Sequence, residues 1–253
     1  MSTGAQSGRE YEQSFPFTGA PVGRAARASS RDRRDRAWNA PVILSTRTRR
    51  RGGSTGSTNV GRIIAEKAGR HLKRVLLELG GKAPMVVLAD ADLDRAAAAA
   101  SFGAFFHQGQ ICMSTERIVV DRSVADSVAE KLAERARALP VGDPREPSTA
   151  IGRLLTVVPV DGPDAAVEVA NDTEYGLSAA VFSENVPAAL ELAQRIESGI
   201  CHVNDTTVHD EPQMPFGGAK ASGFGRFGGR AALEEFTELR WITVQSLPRQ
   251  YPI

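Results

Sequence analysis

Cys112 and Cys201 are the two thiols of the chain. Cys112 lies in FFHQGQICMSTERIVVD (105–121), just after Gly109 and ahead of a β-strand pattern. A thiolate there could attack an electrophilic carbon. A small buried side chain would look the same, because free cysteine is among the most buried residue types, and the residues alone leave both readings open. Cys201, in GICHVND, alternates with His202 and Val203 and reads as core. Glu78 sits near the end of the apolar run RVLLEL (74–79), where a lone carboxylate reads as a salt-bridged strand end. Gly56 and Ser57 lead into a helical pattern, so backbone N–H groups there could meet a phosphate, although linkers share that composition. Asn39, before Ala40-Pro41, reads as a turn residue. His107 reads as a surface or packing side chain. No CxxC or Cys/His cluster has zinc spacing.

These residues need a scaffold, and 253 residues are enough for one large domain or two modest ones. Hydrophobic residues at 42% and charged residues at 24% are ordinary for a globular chain. Two cysteines cannot build a disulfide framework, so a reduced, cytoplasmic setting is expected. No apolar run approaches membrane-spanning length, and MSTGAQSGREYEQSF lacks the apolar centre of a signal peptide. The net charge of +1 hides an asymmetry, since residues 1–52 hold 11 Arg, no Lys and 4 acidic residues. No aromatic side chains interleave with RDRRDR or RTRRR, and Asp32 and Asp35 interrupt the first run. A solvated, poorly ordered segment is expected there rather than a nucleic-acid surface.

Periodicity supplies the elements. Residues 15–29 read as a turn and short strand, 40–48 as a strand or helix start, and RGGSTGSTNVG (51–61) as a loop. Val60, Ile63, Ile64, Ala68 and Leu72 fall at helical spacing. RVLLEL (74–79) and MVVL (85–88) are strands on either side of the break GGKAP. Residues 92–106 form a helix with Asp in its first turn. RIVVD (117–121) is a strand, and Ser123 with Asp126 suggests a capping box for the next helix. LLTVVPV (154–160), SAAVFS (178–183) and ICHVN (200–204) are strands. Pro163 opens one intervening helix; Asn185 caps another, which Gly199 ends. The tract 214–229 is too rich in glycine for either regular element. A helix (230–236) and a strand LRWITVQ (239–245) close the chain. Alternating strands and helices imply a mostly parallel α/β sheet.

Five stretches, in order, resemble motifs of the aldehyde dehydrogenase family. They are AWNAPVIL (37–44), STGSTNVGR (54–62), LELGGKAP (77–84), GQICMSTERI (109–118) and PFGGAKASGFGR (215–226). The stretch GICHVNDTTVHDEPQMPFGG is most like members acting on aromatic aldehydes such as salicylaldehyde, benzaldehyde or vanillin. The resemblance implies an α/β fold: a parallel-sheet catalytic domain (82–238), an abbreviated Rossmann-like cofactor domain (1–81) and a C-terminal strand or oligomerisation arm (239–253). It implies Cys112 as nucleophile, Glu78 as general base and Asn39 as oxyanion donor. The 34-residue interval between Glu78 and Cys112 agrees with the family. Trp38, Gly56, Ser57, Leu79 and Gly80 would lie at the cofactor, NAD or NADP. A homo-oligomer, dimer or tetramer, is implied as well.

Those roles answer a chemical need. A thiolate converts an aldehyde into a thiohemiacetal that can release hydride. The resulting thioester needs a base to activate water, and the oxyanion needs donors. Gly80 and Gly81 would let the chain turn tightly beside Glu78. The chain also departs from the family. Segments between APVILSTRTRR and GGSTGSTNVGR, and between AIGRLL and TVVPV, are missing, together with a ribose-binding lysine and a Glu-x-Phe-Gly-Pro glutamate. Two alternatives to the oxidoreductase therefore stand: a catalytically silent shortened fragment, and a thiol-dependent esterase that uses no cofactor.

Overall fold

In the computed structural model, residues 51–140 and 155–251 are described. The expectations for residues 15–48, for Trp38 and Asn39, and for most of the RTRRR run lie outside them. The most apolar runs form a five-stranded, all-parallel sheet. Its strands are β3 (Ala83–Val87), β4 (Thr115–Asp121), β5 (Thr156–Val160), β7 (Ser178–Phe182) and β8 (Ile200–Val203). Their order is β5-β4-β3-β7-β8. Every residue of β3 and of β7 is buried. Such runs are apolar without alternation because helices cover both faces.

The two faces divide by strand parity. Met85, Val87, Ile118 and Val120 face α2 (Leu93–Phe105) and α3 (Ala125–Arg137). Val86, Val119, Ala179 and Val181 face α4 (Gly162–Asn171) and α5 (Val186–Arg195). α2 meets the sheet through Ala96, Ala97 and Ala100, small side chains that let its backbone sit close. Each fully buried Val or Ile contributes about 1.5–3 kcal/mol relative to exposure. Arg117 of β4 donates to the carbonyls of Val169 and Ala170 at the end of α4, and to that of Lys82 before β3.

A second sheet precedes the first. β1 (Arg51–Thr55) runs parallel to β2 (Arg74–Glu78), and β10 (Gly223–Phe224) pairs antiparallel with β2. α1 (Thr58–Arg70) packs Ile64 and Ala68 on Leu77 and Leu79. A two-stranded ribbon joins β6 (Tyr175–Gly176) to β9 (Ala219–Lys220). The segment Gly80–Lys82 carries the chain from the second sheet to the first.

Several local expectations are corrected. RGGST is strand β1 rather than loop, because β2 offers it a parallel edge. Ser123 does not build a capping box; its hydroxyl and amide both donate to Asp121 Oδ1. α5 ends at Arg195, with Ile196 already extended, rather than at Gly199, and a Cβ at Gly199 would collide with the carbonyl oxygen of Gly217. LRWITVQ is not a strand. It follows α6 (Gly229–Phe236) and finds no ladder partner among the described residues, and Trp241 is 89% exposed. Among the described residues, no helix is long and apolar enough to cross a membrane.

Candidate active site

β2 delivers Glu78 to the centre of the second sheet. Thr55 of β1 is its register partner on one side and Gly223 of β10 on the other. The Glu78 carbonyl accepts from Gly56 N at 3.0 Å, and Leu79 N donates to Ser222 O at 2.9 Å. Gly223 has φ +118°, and a Cβ there would strike the Leu77 carbonyl, so only glycine lets β10 close on β2. Backbone pairing on both sides thus fixes the residue while its side chain stays unpartnered. Glu78 is 4% exposed, and neither carboxylate oxygen has a hydrogen-bond partner. Burial pushes its carboxyl up to about 7, against a smaller opposing pull from Arg226. The salt-bridged strand end expected from the residue alone is not what forms, because the guanidinium of Arg226 donates to two carbonyls instead.

Cys112 arrives from the other sheet. The chain leaves α2 at Phe105 and turns through His107, Gln108 and Gly109, all with positive φ (49°, 61° and 65°). Two consecutive non-glycine residues in the left-handed region cost on the order of 1–2 kcal/mol each. Strain of this kind concentrates where a loop must present a particular atom. Ile111 and Ser114 close a tight turn over Cys112, with Ser114 N donating to Ile111 O and Ile111 N to Ser114 Oγ. Thr207 Oγ1 donates to the Met113 carbonyl and lies 2.7 Å from Thr115 Oγ1, tying the loop down.

Gly81 is where the two arms meet. A Cβ there would collide with the carbonyl oxygen of Cys112. This glycine, three residues beyond the strand that carries Glu78 to its place, makes room for the cysteine loop. Cys112 is exposed. Its thiol is nevertheless raised, first by the protein matter around the sulfur, then by the charge of Glu78, with backbone amides of Cys112 and Met113 pulling the other way. The depressed thiol expected of a nucleophile is therefore absent in the resting site. Cys201 is half-buried, packed against the apolar core, and pushed up to about 12 by burial.

The cofactor candidates separate by geometry. Ser57 caps α1, its hydroxyl accepting from Val60 N. The N–H of Gly56 is already taken by Glu78, but its surface is open, with nothing within 4 Å of a Cβ built there. Gly80 lies beneath Tyr175 and Thr58. The Leu79 side chain packs inward, against Gly61 and the α1 core, so only its backbone faces the site. An exposed helix start beside an open glycine fits an anionic pyrophosphate. Among the described residues, no His/Cys/Asp/Glu group could hold a metal.

Arg226, Ser222 and Thr207 surround the pair and are not singled out by the sequence reading. A charged residue ending a glycine tract was the available signal for Arg226. Phe102 and Phe106, just before the cysteine loop, stack at 4.8 Å and stand half-exposed. A cavity of about 390 Å³ opens between β8 and the loop 209–216, lined by His202, His209, Asp210 and Phe216 among others. Neither Cys112 nor Glu78 lines it, but the charge of Asp210 reaches Cys112.

Comparison with known proteins places this arrangement. The profile described as "Aldehyde dehydrogenase family" matches residues 52–156 and 152–242. The chain is 46% identical to a vanillin dehydrogenase of Pseudomonas fluorescens over 261 aligned positions, covering 81% of this chain and 54% of that protein. The crystal structure of a salicylaldehyde dehydrogenase from Pseudomonas putida G7, complexed with salicylaldehyde, superposes with a TM-score of 0.81 at 38% identity, covering 89% of this chain and 58% of that one. A Mycobacterium tuberculosis aldehyde dehydrogenase complexed with NAD+ gives 0.72 at 28% identity, over 77% and 53% of the two chains. The chain spans about half the length of the curated relatives it matches.

Proposed function

The chain belongs to the aldehyde dehydrogenase family, and from that premise we propose that it oxidises an aldehyde, of aromatic type, to a carboxylic acid through Cys112 and Glu78 with NAD or NADP. The observation that carries this reading is that the loop of the exposed Cys112 packs on Gly81, just after the buried, unpartnered Glu78, near enough for the Glu78 charge to act on the thiol. The similarity to vanillin and salicylaldehyde dehydrogenases supports the aromatic class, and so does the exposed Phe102–Phe106 stack ahead of Cys112.

The Cys112 thiol adds across the aldehyde carbonyl: sulfur bonds to carbon, the C=O π pair moves to oxygen, and that oxygen takes the thiol proton, giving a thiohemiacetal. NAD or NADP, when bound, accepts the hydride. The start of α1, with Ser57 and the open face of Gly56, would hold its pyrophosphate, and Gly80 would leave it room. The product of hydride loss is a thioester on Cys112. Glu78 then takes a proton from water, the hydroxide oxygen bonds to the thioester carbon, and the C–S bond breaks to return the thiol. A carboxyl near 7 suits this exchange, because it ionises close to neutral pH. Asn39 supplies the oxyanion donor in this proposal, and the exposed row Leu239–Tyr251 meets a second copy of the chain.

A second reading has its own support. The pair at Cys112 and Glu78 is complete within the described residues, while the Gly56 amide is spent on Glu78. Thiol-dependent ester hydrolysis needs only that pair. One experiment addresses both readings. With nitrophenyl acetate, wild type should turn over; Glu78→Gln should release about one equivalent of nitrophenolate per site and stall; Cys112→Ser should release none. Equal loss of burst and steady state in Glu78→Gln would remove the base role. Calorimetric titration with NAD and NADP then separates a dehydrogenase, which binds one of them, from an esterase, which binds neither.

A further inference from the structure

The glycine tract does more than leave space: it carries two charged side chains, Lys220 and Arg226, and Arg226 is the one turned into the loop's own fold. Arg226 Nη1 donates to the carbonyls of Gly218 and Gly225, each at 2.8 Å. This clamp anchors the guanidinium inside the fold of its own loop. The loop is in turn bonded to β2, through the pairing of Gly223 with Glu78 and the bond from Leu79 N to Ser222 O. Gly217 is the point of closest approach. A Cβ built there would lie 2.9 Å from Arg226 Cδ and 2.9 Å from Glu78 Oε1. The missing side chain therefore lets the arginine stem and the carboxylate both crowd the place a Cβ would take.

We propose that Arg226 is a positioning residue for the reaction, its clamped guanidinium holding Glu78 as the anion that activates water. The proposal rests on the reading of Glu78 as general base. Among the described residues, the charged and titratable groups near Glu78 are few. Arg226 comes from the glycine tract and Cys112 from the loop before β4; Asp210 stands behind Cys112, and Glu235 of α6 lies against Gly225. Arg226 is the cation of that set. The carboxylate makes no hydrogen bond of its own, so a fixed positive charge is what the fold offers its ionised form. Burial drives Glu78 towards the neutral acid and Arg226 opposes it. Without that opposition the base would be protonated, and idle, at neutral pH.

The test follows the Glu78 carboxyl directly, by ¹³C NMR of glutamate-labelled protein, with Glu78→Gln identifying the signal. Wild type should titrate with a midpoint of about 7. Arg226→Gln should move the midpoint up by about one pH unit or more, as loss of an opposite charge does. Arg226→Lys, which keeps the charge, should restore most of the shift. Should Arg226→Gln fail to fold, the Arg226 Nε resonance of the unaltered protein serves instead. It should move with pH at the Glu78 midpoint, and stand still in Glu78→Gln. An unchanged midpoint in folded Arg226→Gln, or an Arg226 signal indifferent to Glu78, overturns the proposal. Hydrolysis of acetyl-Cys112, formed with nitrophenyl acetate, reports on the reading beneath it. If its pH profile ignores the Glu78 midpoint while the NMR coupling stands, the base role fails and the Arg226–Glu78 coupling survives.

Discussion

A buried carboxylate without a partner is costly when ionised, and Glu78 carries that cost for the sake of its place in the site. Its carboxyl is raised from 4.5 to about 7 by desolvation. Below pH 4.5 the group is protonated in folded and unfolded chains alike and costs nothing. As the pH rises towards 7 the unfolded chain ionises first, so stability is lost across that interval and the loss is complete above it. At about 1.4 kcal/mol per pH unit, the rise from 4.5 to about 7 makes the penalty on the order of 3–4 kcal/mol. Glu78→Gln, which cannot ionise, should match wild type in thermal denaturation at pH 4.5 and melt at a higher temperature at pH 8. A constant difference across that range would show that Glu78 ionises as freely in the folded chain as in the unfolded one. Cys112 feels the same charge. Limiting iodoacetamide on native protein should label Cys112 before Cys201, which is half-buried and pushed up to about 12. Labelling of Cys112 at pH 8 should speed up in Glu78→Gln, because the anion that raises the thiol is gone. Peptide mapping that found Cys201 modified first would remove Cys112 from the nucleophile's role.

At the scale of elements, the site is a junction between two sheets, and Gly81 is its tightest point. Gly81→Ala would force a methyl group into the Cys112 carbonyl. Overpacking of this kind costs about 1–3 kcal/mol, and the methyl group presses directly on the cysteine loop, which already carries the strained turn at His107 and Gln108. The variant should melt a few degrees lower and lose most of its nitrophenyl acetate burst, with helix content unchanged by circular dichroism. Full burst activity would mean that the loop tolerates displacement. The same elements show what a sequence discloses. Strands β3, β4 and β7 are legible because a sheet covered on both faces demands unbroken apolar runs. Strand β1 is not, because RGGST has loop composition and becomes a strand only when β2 lies beside it. Ser123 and Gly199 had the right residue types for a cap and a stop, but nearer partners claimed them: Asp121 in one case, the packing of Gly217 in the other. Cys112 and Glu78 are proposed as the reacting pair from motifs and spacing, and the fold carries them on two arms that meet at Gly81. Arg226 was not legible, since spacing cannot say which carboxylate a loop arginine will face. Nor could composition reveal that the Gly56 amide is spent on Glu78.

At the scale of the whole molecule, the C-terminal row is an apolar surface left in water. Leu239, Trp241, Ile242, Val244 and Leu247 are all exposed. They follow a β-like sequence pattern but find no ladder partner among the described residues. An exposed apolar row of this length marks an interaction surface, and an extended segment with free backbone groups satisfies both needs by adding to another chain's sheet edge. A second copy is the proposed partner, in keeping with a chain whose own strand β8 ends one side of the five-stranded sheet. Ending the chain after Glu238 would remove the row and retain the ion pair between Arg51 and Glu238. The full chain should sediment as a dimer or larger at about 10 μM, and the shortened one as a monomer with unchanged far-ultraviolet circular dichroism. Trp241 offers an independent readout, because its emission should shift to the blue as the full chain associates and its indole leaves water. Identical sedimentation of the two chains, with Trp241 emission independent of concentration, would leave the arm without a role in assembly and assign any self-association to another face.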